Sequence, residues 1–279
     1  MKIEIGESLA LSYLKHVKKC VFYQTNWKSS SQWKMFNEGI VANIFSKIKN
    51  IEDEIEDEIE EFNNIFRSDI DQTLKQAEID VLGIDQNGKI YVMDIAYHEK
   101  GLNYKGKKKT IENLIKKLLR SYLMLLSYFP DKDYDIIFAS PKVGPTVNGY
   151  MCEALKIDES KVNDEDIDDS ELNTFEKLKR FSNKNVGFKN KVRFIYISNE
   201  AFRKEILDKT IKESENDSDS NELFIRSYKL LKLFNKISTI TEETTDLDKE
   251  IPPTASLVLE FKPSDENAIQ AIKIGRAHV

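Results

Sequence analysis

The chain has 279 residues, in which 42 lysines and arginines face 48 aspartates and glutamates for a formal net charge of −6. That balance gives no bulk basic footprint for nucleic acid or an anionic membrane, and a composition of 40% apolar and 10% aromatic residues excludes a disordered chain. Two cysteines, Cys20 and Cys152, far apart and without CxxC spacing, exclude a disulfide scaffold, a zinc ribbon and a thioredoxin-type centre, so both are expected to act as small buried hydrophobes in a reducing compartment.

The opening MKIEIGESLA lacks a basic stretch followed by an apolar one, and no run of 18 apolar residues occurs, so a cytoplasmic protein with no membrane partner is expected. Residues 6–18 carry Ala10, Leu11, Leu14 and Val17 at helical spacing, and Lys19–Trp27 reads as a strand. From Trp33 to Phe66 apolar residues recur every three or four positions, which predicts a long amphipathic helix or helical pair, an inserted arm over about 30–75. Its acid-rich stretch, IEDEIEDEIEE at 51–61, reads as a solvated helix face. Glu78–Gly83 and Lys89–Tyr97 form a hairpin around DQNG, followed by a helix over Lys107–Tyr128, a strand over Tyr134–Ala139 and a helix over Thr146–Leu155. Residues 158–171 are acidic without apolar periodicity and read as a mobile loop. A strand over Lys191–Ser198, helices over Asn199–Lys212 and Glu222–Phe234, and a strand over Ala255–Phe261 complete an α/β sandwich with a mixed sheet. The core is expected over 1–215, with 216–273 packing on it. The last six residues, IGRAHV at 274–279, resemble a translated sequencing-library adapter and are set aside as a non-native tail.

The hairpin turn sets which residues face each other. A two-residue NG turn places Asp80 and Asp94 on opposite faces; a three-residue loop closed by Gly88 in the left-handed conformation places them directly opposite on one face. Two facing carboxylates, with Cβ atoms about 4.5–5.5 Å apart, repel each other, and a divalent cation with oxygen ligands is the simplest offset. Hydrated acids on a solvent-facing hairpin are the alternative. Glu7 lies on the inward stripe of the first helix, three residues before Ala10, where an unpaired carboxylate is costly to bury.

These residues resemble the PD-(D/E)xK nuclease superfamily, especially the branch of Holliday-junction resolvases and Mrr-like restriction endonucleases. IGESLALSYLKHVKKC is similar to the family's first helix, VFYQTNW to its first strand, EIDVLGID to its second and KIYVMDIAY to its third, over about half the chain. The resemblance implies a restriction-endonuclease-like sandwich. It also implies Mg²⁺ or Mn²⁺ held by Glu7, Asp80 and Asp94, and hydrolysis of phosphodiester bonds in DNA. Where the family has a lysine two residues after the acid, this chain has Ala96. Alanine can neither orient the attacking water nor stabilise charge on the phosphate. Lys107 or Lys108, extending the inward stripe of the next helix, are the first candidates for a displaced lysine, followed by Lys100; His98 and Glu99 rank behind them.

Eight basic residues lie between Lys100 and Arg120 against one acid, Glu112. Lys105, Lys107, Lys108 and Lys109 with Tyr104 are candidate nucleic-acid contacts, as are Asn26 and Lys28, whereas Lys116, Lys117 and Arg120 are explained by a solvated helix face and Trp27 by the core. No GxGxxG, GxxxxGK[ST] or GxSxG loop is present, and only His16 and His98 remain outside the tail for a triad or zinc site. Residues 51–61 hold eight acids and no base, and 158–171 eight acids and one lysine, so the remainder is basic by nine charges. A metal-dependent nuclease is the leading expectation. The alternative is a degenerate nuclease fold that binds nucleic acid or protein, its helical arm serving a homodimer or another protein.

Overall fold

The computed structural model describes residues 4–30, 32–36, 38–49, 69–98, 100–164, 166–168, 171–183, 190–215, 217, 221–233 and 253–261. The first helix, α1 (Ile5–Ser12), runs into a π-helical turn, Tyr13–Val17, and ends through Lys19 at φ 56°. It is followed by β1 (Phe22–Trp27), α2 (Glu38–Lys49) and α3 (Ile70–Lys75), then the hairpin β2 (Ile79–Ile84) and β3 (Ile90–Ile95). Next come α4 (Lys107–Tyr128), β4 (Tyr134–Ser140), α5 (Pro145–Ala154), α6 (Glu159–Asn163), α7 (Thr174–Asn183) and β5 (Asn190–Ser198). After α8 (Asn199–Ala201) a second π-helical turn, Phe202–Asp208, leads to α9 (Lys209–Ser214), α10 (Leu223–Leu233) and β6 (Ala255–Phe261).

The six strands form one open mixed sheet in sequence order. β1, β2 and β3 are antiparallel neighbours, β4 and β5 add in parallel, and β6 closes the far edge antiparallel. Two parallel steps need long crossovers, and α4 and the α5–α7 segment supply them. Alternation along the strands divides the core. Leu82, Val92, Ile136, Phe138 and Phe194 face α4 with α2, α5 and α7, while Val81, Met93, Ile137, Ile195 and Ile197 face α1 and the second π-turn. An α/β chain with a mixed sheet flanked by helices is therefore present, as the periodicity predicts.

Packing explains two glycines and one cysteine. Gly88, at φ 79°, closes the three-residue hairpin loop, with Gly88 N–H donating to Asp85 and Asp85 N–H to Lys89. A Cβ at Gly83 would stand 2.7 Å from the Cys20 sulfur, so the helix exit and β2 approach as closely as they do only without a side chain there. Cys20 is buried, and burial pushes its thiol up to about 12, well away from a reactive thiolate. Cys152 is half-buried and also free.

Two local expectations change. Trp33 and Phe36 are exposed and precede α2, and the apolar face of α2 (Val41, Ile44, Phe45, Ile48) is buried in this chain's own core. Residues 51–61 lie outside the described residues, as does the 274–279 tail. The acidic 158–171 run is not a free loop where it is described. Asp158 caps α6, and the buried Arg180 of α7 donates to the carbonyls of Lys161, Val162, Asp164 and Ile167. Those bonds come from a distant residue, so local periodicity does not show them. Among the described residues no helix is long and apolar enough to cross a membrane.

Candidate active site

The β2–β3 register places Val81 opposite Met93 and Ile84 opposite Ile90, the pairing of the three-residue loop, and carries Asp80 and Asp94 to the same end and the same face. Ile95 N–H donates to Asp80 Oδ2 at 2.9 Å, tying the two strand ends together through the acid. Asp94 faces α4, where Ser121 Oγ donates to its Oδ2 at 3.1 Å and Lys117 Nζ to its Oδ1 at 3.3 Å. The same amine is 3.7 Å from Asp80 Oδ2. One lysine thus serves two carboxylates.

Lys117 reaches them from the middle of α4. Leu114, Leu118 and Ser121 are buried on the sheet side, so position 117 lies at the margin of that stripe, with its amine 6.0 Å from the Phe138 ring centroid. Its methylene stem crosses apolar surface and its charge reaches the acids. Ala96, buried on the same face two residues after Asp94, leaves the amine to the helix instead of the strand. The expected substitutes are elsewhere. Lys107 is exposed and Lys108 half-buried in the first turn of α4, ten and nine residues before Lys117, about 15 Å along the axis at 1.5 Å per residue. Lys100 and His98 are exposed, with His98 edge-on to Tyr104, and Glu99 is outside the described residues. The assignment of Lys117 and Arg120 to a solvated face is corrected as well. Arg120 donates to the Glu78 carbonyl at 3.2 Å and so helps fix the start of β2. The spacing of Lys117 and Ser121, four apart at the edge of an apolar stripe, is the signal that could have found both.

Glu7 stands back from the pair. Its Oε2 accepts from Asn26 Nδ2 at 3.2 Å, and its charge acts on Asp80. Asn26 lies between the Thr25–Val81 and Trp27–Ile79 pairs, beside Asp80 in the register, in the left-handed region at φ 52°. Asparagine tolerates that conformation better than most residues, and the kink turns its amide toward Glu7. Asn26 therefore orders an acid, whereas the exposed Lys28 pairs with Glu78 at 2.6 Å. Lys105, Lys107 and Lys109 are exposed around the mouth of α4, Lys109 pairing with Glu112 at 2.6 Å, and Tyr104 is half-buried behind them.

No family model, curated protein or solved structure matches the chain.

The electrostatics identify the strained member of the cluster. Burial, followed by the Asp94 charge, pushes the Asp80 carboxyl up to about 6, against the opposing pull of Lys117 and the Ile95 N–H. Burial alone would lower the Lys117 amine, but Asp94 and Asp80 outweigh it and hold it above the ordinary lysine value. The centre sets two acids against the single ammonium of Lys117. Among the described residues no three His, Cys, Asp or Glu side chains converge closely enough to hold a metal by themselves. Asp80 and Asp94 suit Mg²⁺ or Mn²⁺, which commonly takes one or two carboxylates and completes its shell with water and substrate oxygens. The raised Asp80 carboxyl is the observation that fits such a cation, because a second positive charge would relieve the repulsion that Lys117 offsets only in part.

Proposed function

We propose that the chain is a metal-dependent nuclease of restriction-endonuclease-like fold, hydrolysing phosphodiester bonds in DNA at the Asp80–Asp94–Lys117 centre. The carrying observation is the Lys117 amine, 3.3 Å from Asp94 and 3.7 Å from Asp80, which supplies from α4 the cation that Ala96 cannot. With α2 and α3 taken as an insertion between β1 and β2, the order of helix, three strands, helix and strand is the one the family resemblance implies. The exposed Lys105, Lys107 and Lys109 at the start of α4 offer phosphate contacts away from the acids themselves.

In this reading Asp80 and Asp94 would hold Mg²⁺ or Mn²⁺, which when bound supplies positive charge to the phosphoryl group and acidifies water. Lys117 donates hydrogen bonds from a fixed ammonium, orienting water or a non-bridging phosphate oxygen, and Asp94 with Ser121 fixes where that amine points. Glu7, aimed by Asn26, adds negative charge next to Asp80 and strengthens its hold on a cation. A purely binding role for the same fold would be favoured by the lack of any amine at Asp94, and Lys117 argues against it.

Digestion of plasmid, branched and single-stranded DNA, with RNA alongside, in Mg²⁺, Mn²⁺ or EDTA tests the assignment. Metal-dependent DNA cleavage that disappears in Asp80→Asn and Asp94→Asn is expected. Full cleavage by either variant, or cleavage undiminished by EDTA, would overturn it.

A further inference from the structure

On the sheet face opposite the acidic centre, a cavity of about 400 Å³ lies between β4, β5 and the two π-helical turns. Its floor is apolar, made by Ile137, Ile195 and Ile197, and its rim carries three cations, Lys18, Arg193 and Lys209. The size is that of a small-ligand pocket. Both turns contribute directly. The first, Tyr13–Val17, brings Tyr13 and Val17 and delivers Lys18 at its exit, and the second, Phe202–Asp208, brings Glu205. Single π-helical turns inside helices concentrate at functional sites, and two of them facing one cavity is unexpected for plain packing.

The rim cations differ in their partners. Arg193 grips the buried Asp135 through Nε and Nη2, and Lys209 lies 2.9 Å from Glu205. Lys18 has no carboxylate within 4.0 Å among the described residues; its amine lies over the Tyr13 ring at 5.3 Å from the centroid. A half-buried ammonium that lies on an aromatic face, with Asp135 and Glu205 acting on it only from beyond ion-pair distance and Arg193 opposing them, is incompletely compensated for its lost hydration. Burial accordingly draws the Lys18 amine below the ordinary lysine value. Beside the Arg193–Asp135 and Lys209–Glu205 pairs, one cation without a directly paired carboxylate stands above an aliphatic floor, an arrangement that suits a single negative charge on an apolar body.

We propose that this cavity binds a small organic monocarboxylate, its carboxylate on the Lys18 amine and its hydrocarbon part on Ile137, Ile195 and Ile197. The site is separate from the acidic centre and does not depend on the nuclease reading. Isothermal titration calorimetry with octanoate and 1-naphthoate, against octan-1-ol and octylammonium, tests it on the whole chain. One-to-one binding of the carboxylates is expected, with octanol and octylammonium weaker by about tenfold or more, since only the carboxylate compensates the ammonium. Lys18→Met should lose about tenfold or more in octanoate affinity for the same reason, while melting without ligand at or above the wild-type temperature because a poorly compensated charge is gone. No heat from either carboxylate at millimolar concentration, or equal octanoate affinity in the folded Lys18→Met protein, would overturn the proposal.

Discussion

Asp94 and Asp135 sit on adjacent strands of one sheet, both almost fully buried and on opposite faces, yet their surroundings are built in opposite senses. Asp135 receives both Nε and Nη2 of Arg193, and Lys89 Nζ at 2.8 Å, so one acid meets two cations. Asp94 shares a single lysine with Asp80. The first cluster is oversupplied with positive charge and reads as a clamp joining β3, β4 and β5. The second carries surplus negative charge at the open end of a hairpin, where the strands part. A buried ion cluster with complete pairing is a structural device, whereas one left incomplete awaits something from outside.

The strongest test of that contrast removes the shared amine. Lys117→Met should reduce DNA cleavage about 10² to 10³-fold, the loss typical of deleting one donor aimed at developing charge. Lys107→Met and Lys108→Met, which remove charges near the helix start, should each cost less than about tenfold and lower the salt dependence of binding. Steady-state cleavage at matched salt separates the three. Equal losses at 107 and 117 would make the amine at Asp94 one more phosphate contact.

On the opposite face the effect should appear in stability. Asp135→Asn leaves Arg193 and Lys89 without their buried partner and should cost about 2–4 kcal/mol, below the full value for breaking a buried pair because both cations are partly solvated. Urea unfolding measures it. Cleavage per folded molecule should stay at the wild-type level, and a variant as stable as the wild type would remove Asp135 from the role of clamp.

The hairpin register was legible because turn geometry and side-chain parity are local. DQNG with Gly88 in the left-handed region places Asp80 and Asp94 together before any tertiary contact is considered. The limits of α4 and β6 follow from equally local patterns. The identity of the amine does not follow, since it depends on how far α4 slides along the sheet, and a shift of one turn, about 5.4 Å, would bring a different residue to Asp94. The kink at Asn26 and the four carbonyls gathered by Arg180 belong to the same class, because each joins residues whose proximity only the packed fold creates. The resemblance implies an acid triad, and the structure adds what it does not, Lys117 at Asp80 and Asp94 and the Asn26 amide at Glu7.

The smallest expected effect concerns the sign of the Asp80 contribution to folding. Its carboxyl is raised from 3.8 to about 6, so the folded state binds that proton more tightly than the unfolded chain does. Below about pH 4 the acid is protonated in both states and carries no penalty; between about pH 4 and 6 the penalty grows, and above that it is constant. Asp80→Asn keeps an acceptor for the Ile95 N–H and removes the repulsion with Asp94, but it also takes one counter-charge from Lys117. The net gain should be about 1 kcal/mol at pH 8, less than the full pKa shift implies because Asp80 is partly solvated, and it should fade by about pH 4. Thermal melts of both proteins across that range, without added metal, read the difference directly. A variant less stable than the wild type at pH 8 would mean that Lys117 pairs the two acids completely, and the centre would then resemble the Asp135 clamp on the other face of the sheet.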